Sequence, residues 1–459
     1  MKTKIVILLF LALSLNIMAV DYASLYDGLP IQLQQPAAPT IKDVRINITD
    51  YGAKGDGQTM CTESIQKAID ELAAKGGGHI DFPAGIWLTA PLRLKSGIDL
   101  HLAQNAIIQF TEERNLHVKP NNKRAECCIY ATNAHDISIT GKGFIDGNGE
   151  FWRAVKRGKN SDVEWKNYLS LGGTVNEKGD LWYPFNLKHQ NNVAQTMEQQ
   201  EKMRSNMVRF NNCQRIMVQG VTLQNSPKFH LTPNDCQDVI IDGVTVRCPW
   251  NAQNGDAIDI GTSQRVLITN NTIDCGDDGI CMKGATGDES LNHKPCEDIL
   301  IKNNTVYHAH GGFVIGSEFS AGMYRIVVCD NTFSGTDTGL RFKSAVGRGG
   351  KTGDIYCYNI NMTDINGEAI VFETTYADKA VSGTTGPAKG TKWVPEFQGI
   401  NIYNITCNGA KTGIKAKGAE GMVHDISIKN STIFYTQTAT DIDSTCDVKL
   451  QNVKLLTYK

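Results

Sequence analysis

A chain of 459 residues with 41% apolar side chains can bury a large core, and solenoids of this length fold as one unit. Its formal net charge of −2 excludes the broad positive field that a nucleic-acid or anionic-membrane partner requires. Any polyanion must therefore be held by a local basic site.

Lys2 and Lys4 precede an apolar run from Ile5 to Leu15, with Ala19 as a small residue for cleavage. The run is too short for a membrane span, so residues 1–19 read as a signal peptide and the mature chain as secreted or periplasmic. Residues 20–42 follow as an extended lead-in, and 43–459 form a single domain. Export places the thirteen cysteines in an oxidising compartment. Their irregular spacing, without Cys-x-x-Cys or a zinc-like cluster, suits buried small apolar side chains. A disulfide at Cys275, Cys281 or Cys296 remains open.

Asp50 to Gly57 is turn-rich, and Thr62 to Lys75 reads as a helix with Ile65, Ala68, Ile69 and Leu72 on one face, stopped by Gly76-Gly77-Gly78. Strand-like runs follow at His79 to Phe82, Ile86 to Leu88, Ile98 to Leu102 and Ile107 to Phe110. One amphipathic helix ahead of a long β region suits a plug over the open end of a stack.

An eight-residue block then recurs, starting at Ile137, Ile216, Val239, Val266, Ile299, Ile326, Ile355, Ile400, Ile426 and, more weakly, Val448. Its fifth place is always Gly, Asn or Asp, the residues that tolerate a left-handed backbone. From Ile216 to Ile355 the starts lie 23, 27, 33, 27 and 29 residues apart. A propeller blade needs more chain than that, so the spacing predicts an all-β, right-handed parallel β-helix with a laddered Asn column. Residues 153–204 break the count, as an excursion that either decorates the surface or covers one end of a groove.

Counted from each block start, Asp277, His310 and Asp337 share place 11 and Asp278 holds place 12. Places 14 and 16 are apolar, while 15 and 17 collect charges, among them Arg341 and Lys343, so one strand face is wet. Aligning Ile258 and Ile260 with places 14 and 16 brings Asp256 to place 12. Four neighbouring coils thus offer three carboxylates, an imidazole and two fixed cations on one outward patch. One carboxylic acid can protonate a glycosidic oxygen while another carboxylate activates water or attacks carbon. Stacked carboxylates cannot all ionise independently, so at least one pKa should rise. Arg341 and Lys343 offer a dock for a uronate, and His310 either holds the acid's proton state or binds a hydroxyl.

The order Asn254-x-Asp256, Gly276-Asp277-Asp278-Gly279, His310-Gly311 and Arg341-x-Lys343 resembles the polygalacturonases, glycoside hydrolases of family 28, over about residues 45–435. The resemblance implies a parallel β-helix that hydrolyses α-1,4-galacturonosyl bonds of pectic polysaccharide or oligogalacturonides with inversion, and without metal or cofactor. It implies Asp277 as general acid, Asp256 and Asp278 as activators of water, and His310 as support for the acid. It also implies Arg341 and Lys343 as holders of the galacturonate carboxylate, with Tyr376 and, more loosely, His230 as sugar contacts. Gly255 and Phe342 depart from the common Thr and Ile without touching the reacting groups. The run from His310 to Glu318, with Gly347-Arg348-Gly349-Gly350, is similar to exo-acting bacterial members. Alternatives are a rhamnogalacturonan-directed hydrolase, a calcium-dependent pectate lyase or a non-catalytic sugar-binding β-helix. The sequence carries no signal for oligomeric state.

Overall fold

The blocks pair with one another in the order in which they occur. In the computed structural model, which describes residues 21–118, 125–184, 201, 203–376 and 390–458, all ten block starts from Ile137 to Val448 are successive partners in one parallel ladder. The expected signal peptide and part of the excursion lie outside the described residues. A representative coil has three strands, Val208–Asn211, Gln214–Gln219 and Thr222–Gln224, each parallel to its equivalent in the next coil. The chain is a right-handed parallel β-helix, the sense that parallel crossovers adopt. From Thr352–Glu373 onward the separate strands fuse into long bent ones.

Stacking like on like builds the core. The nine block starts from Ile137 to Ile426 are fully buried, and Phe342 stacks on Phe372 with ring centroids 4.6 Å apart, about one coil rise. The helix Thr62–Ala74 buries Ile65, Ala68, Ile69 and Leu72 against the first coils, as its periodicity requires. Gly77 ends it at φ 96°, where a Cβ would lie 2.2 Å from Gly97 O.

The Asn ladder is double, and the sequence identified only its outer half. The fifth-place residues do adopt positive φ, from 48° at Asn430 to 109° at Gly141. Their side chains link on the outside, as Asn359 to Asp330 and Asn452 to Asn430 do. The buried ladder is one place later: Asn271 Nδ2 donates to Asn304 Oδ1 at 2.9 Å, and Asn304 Nδ2 to Asn331 Oδ1 at 3.0 Å. Inside the bend, a side chain that both donates and accepts can satisfy its own turn and the next, and Ser431 does so in a later coil.

The lead-in runs along the coils. The residue before each block alternates in sign: Asp136, Arg215, Asp238, Arg265, Asp298 and Arg325, with Arg265 and Arg215 gripping Asp238 and Asp136 through paired bonds of 2.7–2.8 Å. Three lead-in amides donate to the acidic members: Gln34 to Asp298, Ala37 to Asp238 and Thr40 to Asp136. Three residues of a Pro-rich extended chain advance about 9.3 Å, close to two coils at about 4.8 Å each. Pro36 and Pro39 suit that conformation and lack only amides that the register leaves unused. Upstream, Leu33 and neighbours cover Ile240, Leu267, Leu300 and Val327, outward residues that are at most 1% exposed. Deleting residues 21–42 should therefore expose an apolar stripe and cost roughly 5 kcal/mol. Thermal unfolding and apolar-dye binding check this; an unchanged melting temperature contradicts it.

All thirteen cysteines are free thiols and eleven are buried, including Cys275, Cys281 and Cys296. The described part of the excursion adds a helix, Asp162–Ser170, begun by a Ser161/Glu164 capping box, and a small antiparallel sheet. No helix among the described residues is long and apolar enough to cross a membrane.

Candidate active site

Ile258 pairs with Ile280, Ile280 with Phe313 and Phe313 with Leu340. Two residues back along these strands Asp256 stacks on Asp278, and three back Asp277 stacks on His310. Asp277 Oδ1 lies 2.9 Å from His310 Nδ1. Lys343 Nζ donates to Asp278 Oδ2 at 2.7 Å, and Arg341 Nη1 lies 3.6 Å from Asp278 Oδ1. Tyr376, held by its N–H to Ser344 O, packs its ring centroid 5.6 Å from Arg341 Cζ and 5.0 Å from Lys343 Nζ.

Local backbone explains the convergence. Asn254 sits at φ 51°, so its N–H reaches Asp277 Oδ2 at 3.2 Å while Arg204 donates to its side-chain oxygen. Gly276 lies against the extra residues of the preceding coil, and a Cβ there would come within 2.5 Å of Ala252 O. Those extra residues, which disturb the register in sequence, are what brace the acidic turn.

His230 is the exception. It is fully buried, its Nδ1 lies 2.9 Å from Asp256 O and its Nε2 accepts from Ser226 N–H. Burial lowers its pKa to about 4. With both ring nitrogens taken by backbone it cannot touch a sugar; it anchors the Asp256 strand from beneath.

Sequence reasoning also missed groups. Asp259 holds place 15 and Lys283 place 17, the columns already seen to collect charge, so the same alternation could have found both. Lys283 lies 4.0 Å from both Asp278 and Glu318, and Arg348 bonds Ser317 and Glu318. Lys159 arrives from the excursion, 3.3 Å from His310 Nε2. No coil-based register could place it.

The carboxylates divide by environment. Desolvation, reinforced by Asp259, raises Asp256 well above the usual range, and desolvation also lifts Asp259 to about 7. Burial pushes Asp278 the same way, but Lys343, Lys283 and Arg341 more than offset it and hold the group low. Burial likewise works to raise Asp277, yet the bond from His310, the charge that this ring carries when protonated, and the charge of Lys343 pull it down. Asp256 Oδ1, Asp259 Oδ1 and Asp278 Oδ1 are buried without a hydrogen-bond partner among the described residues. Each such oxygen costs about 1–3 kcal/mol, a penalty tolerated where a site must bind something polar.

Ligand atoms of Asp277, Asp278 and His310 lie within 4.8 Å of one another, close enough for a cation. Lys343 and Arg341 already face Asp278 and Lys159 faces His310, so a metal there would meet like charge.

The model for glycosyl hydrolases family 28 matches residues 163–453, and that for rhamnogalacturonase A/epimerase, pectate lyase-like, matches residues 45–123. An exo-poly-alpha-D-galacturonosidase of Dickeya chrysanthemi is 31% identical over 387 residues, covering 79% of this chain and 62% of that protein. The chain thus spans less than two thirds of that relative's length. An endo-polygalacturonase of Pectobacterium carotovorum subsp. carotovorum is 26% identical over 97% of this chain and 98% of its own. The crystal structure of a hyperthermoactive exopolygalacturonase from Thermotoga maritima superposes with a TM-score of 0.76 at 25% identity, over 92% of this chain and 94% of that one. The family match takes in Asp256, Asp277, His310 and Lys343 and extends over more than half of the sequence. The chain is a glycoside hydrolase and belongs to family 28.

Proposed function

We propose that this hydrolase cleaves α-1,4-galacturonosyl bonds of pectic polysaccharide with inversion, releasing residues from a chain end. The observation that carries the reading is the pairing of Arg341 and Lys343, faced by Tyr376, on the rungs beside the carboxylates. Such a fork and point charge suit a sugar carboxylate, and the tyrosine ring gives the sugar an apolar wall. A neutral hexose would add no counter-charge to the one carboxylate, Asp278, that the two cations share.

Asp277 is the most accessible of the three aspartates, with 19% side-chain exposure against 1% for Asp278. It is the one able to reach a leaving oxygen, and it acts as general acid in the protonated form, which the further burial imposed by a bound sugar favours over the ionised form of the open site. Asp256 and Asp278 lie deeper, with free oxygens to hold a water for attack on the opposite face: Asp278, which the cations hold low, deprotonates it, and Asp256 orients it. His310 holds Asp277 in place. The cations supply the positive charge without a metal, and the N-terminal segment 1–19 directs export.

Exo action draws support from the relatives in Dickeya and Thermotoga and from the charged cluster of Lys283, Glu318 and Arg348 beside the strand ends. Time-resolved product analysis on polygalacturonate and on rhamnogalacturonan tests the proposal. Galacturonic acid should be the dominant earliest product from the former, with inverted anomeric configuration and no loss of rate in chelator. Early long oligomers would overturn exo action. Unsaturated products together with chelator sensitivity would overturn hydrolysis in favour of elimination.

A further inference from the structure

Lys159 reaches the site from outside the coils. It closes the short turn Arg157–Lys159, which Arg157 braces by donating to Asn160 O at 2.7 Å and pairing with Asp162. Asn251 Nδ2 donates to Asn160 Oδ1 at 2.9 Å, so the turn is tied to the residues that back the acidic loop. Held there, Lys159 Nζ donates to Gly276 O at 3.1 Å and lies 3.3 Å from His310 Nε2. The imidazole is thus gripped on both nitrogens, by a lysine on one side and Asp277 on the other.

We propose that Lys159 is a positioning residue for the general acid: by donating to His310 Nε2 it fixes the ring as the neutral Nδ1–H tautomer, so that Asp277 faces a neutral donor instead of a cation. The inference rests on the reading of Asp277 as the acid. An ammonium has three donors and no acceptor, and an imidazole nitrogen can meet it only with a lone pair. The ring's single proton is then at Nδ1, aimed at Asp277 Oδ1. The carboxylates on either side pull the other way. Asp277 at 2.9 Å and Asp337 Oδ2, 3.9 Å from Nε2, would together favour an imidazolium if Lys159 were absent.

The consequence falls on Asp277. Burial favours its protonated form, while a bond from His310, the charge of His310, Lys343 and Lys159 oppose it, in that order. A neutral ring keeps the bond and removes the charge. Lys159 also favours the carboxylate directly, but it ranks below His310 and Lys343. Lys159 itself is half-buried between opposing influences: burial lowers its pKa, Asp277 and Asp337 raise it, and Lys156 lowers it. Removing the lysine therefore adds a charge at His310 nearer to Asp277 than the one it takes away.

Nitrogen-15 NMR of the imidazoles tests this, with the His310 signals identified by their loss in His310→Asn. At roughly pH 6, near the ordinary histidine midpoint, the wild-type ring should show a protonated Nδ1 and an unprotonated Nε2. In Lys159→Met both ring nitrogens should be protonated at that pH, since among the described charged groups only the carboxylates of Asp277 and Asp337 then face the ring. The alkaline limb of kcat/KM should then move to lower pH, because Asp277 gives up its proton earlier. Lys159→Arg keeps the charge and should restore both readouts, and Lys159→Ala serves if the Met variant misfolds. An unchanged protonation pattern on the two His310 nitrogens in the neutral variants overturns the proposal. If His310 responds as stated while the kinetic limb stays put, Lys159 keeps its role toward the ring and Asp277 as acid is what fails.

Discussion

Asp277→Asn should lower kcat on polygalacturonate by about 10²- to 10⁴-fold while saccharide binding stays close to wild type. The substitution keeps shape and removes the proton that a departing sugar oxygen needs. It does not touch Arg341, Lys343 or Tyr376, which hold the uronate in the proposed complex. The amide retains one oxygen, either for the Asn254 N–H or for His310 Nδ1 and the Asp278 N–H, the groups that now grip the carboxylate. An aryl galacturonide, whose leaving group needs no acid, separates the roles. Asp277→Asn should recover much of its rate on that substrate, whereas Asp256→Asn and Asp278→Asn should not, since each still lacks a group that activates the water. A variant within about tenfold of wild type on the polymer removes Asp277 from the acid's place. Rescue confined to Asp256→Asn would reassign the acid to the aspartate that burial pushes toward its protonated form.

The features legible in sequence were those set by repetition. One rung differs little from the next, so block starts, the plug helix and the stacking of Asp256 on Asp278 follow from counting, and the ladder pairs them accordingly. The inner Asn271–Asn304–Asn331 ladder was displaced by one place because the left-handed bend and the buried amide are adjacent duties of the same turn. His230 lies buried beneath the sheet, where a loose resemblance could not place it, because a one-residue difference decides which side a ring faces. Lys159 lay beyond any count, since its position depends on how an irregular segment returns to the coils. The lead-in's composition suggested extension, but its three-residue match to two coils needed the Asp column to be seen in space.

Lys343→Met should cut kcat/KM by about 10²-fold or more and shift its acidic limb to higher pH, since severing a buried ion pair strands the surviving charge. Lys343 is 5% exposed and Asp278 1%, with 2.7 Å between their charged atoms. Against the desolvation that favours protonation, Lys343 is the foremost influence holding Asp278 low, ahead of Lys283 and Arg341. A base must be ionised to act, so its loss on the acidic side tracks its pKa. Without Lys343 that pKa rises, and activity disappears at a pH where the wild-type enzyme still works. Stability should follow the same sign. A depressed carboxylate contributes stability above its unfolded pKa and loses that contribution as pH falls through the folded value. The variant's deficit in thermal unfolding should therefore be largest near neutrality and shrink in acid, where Asp278 is protonated in both proteins. Lys343→Arg preserves the charge but exchanges a point for a plane, so it should restore most of the stability and less of the turnover. A deficit that is flat with pH would mean that Lys343 serves packing or substrate alone, and that Asp278 owes its ionised state to Lys283 and Arg341.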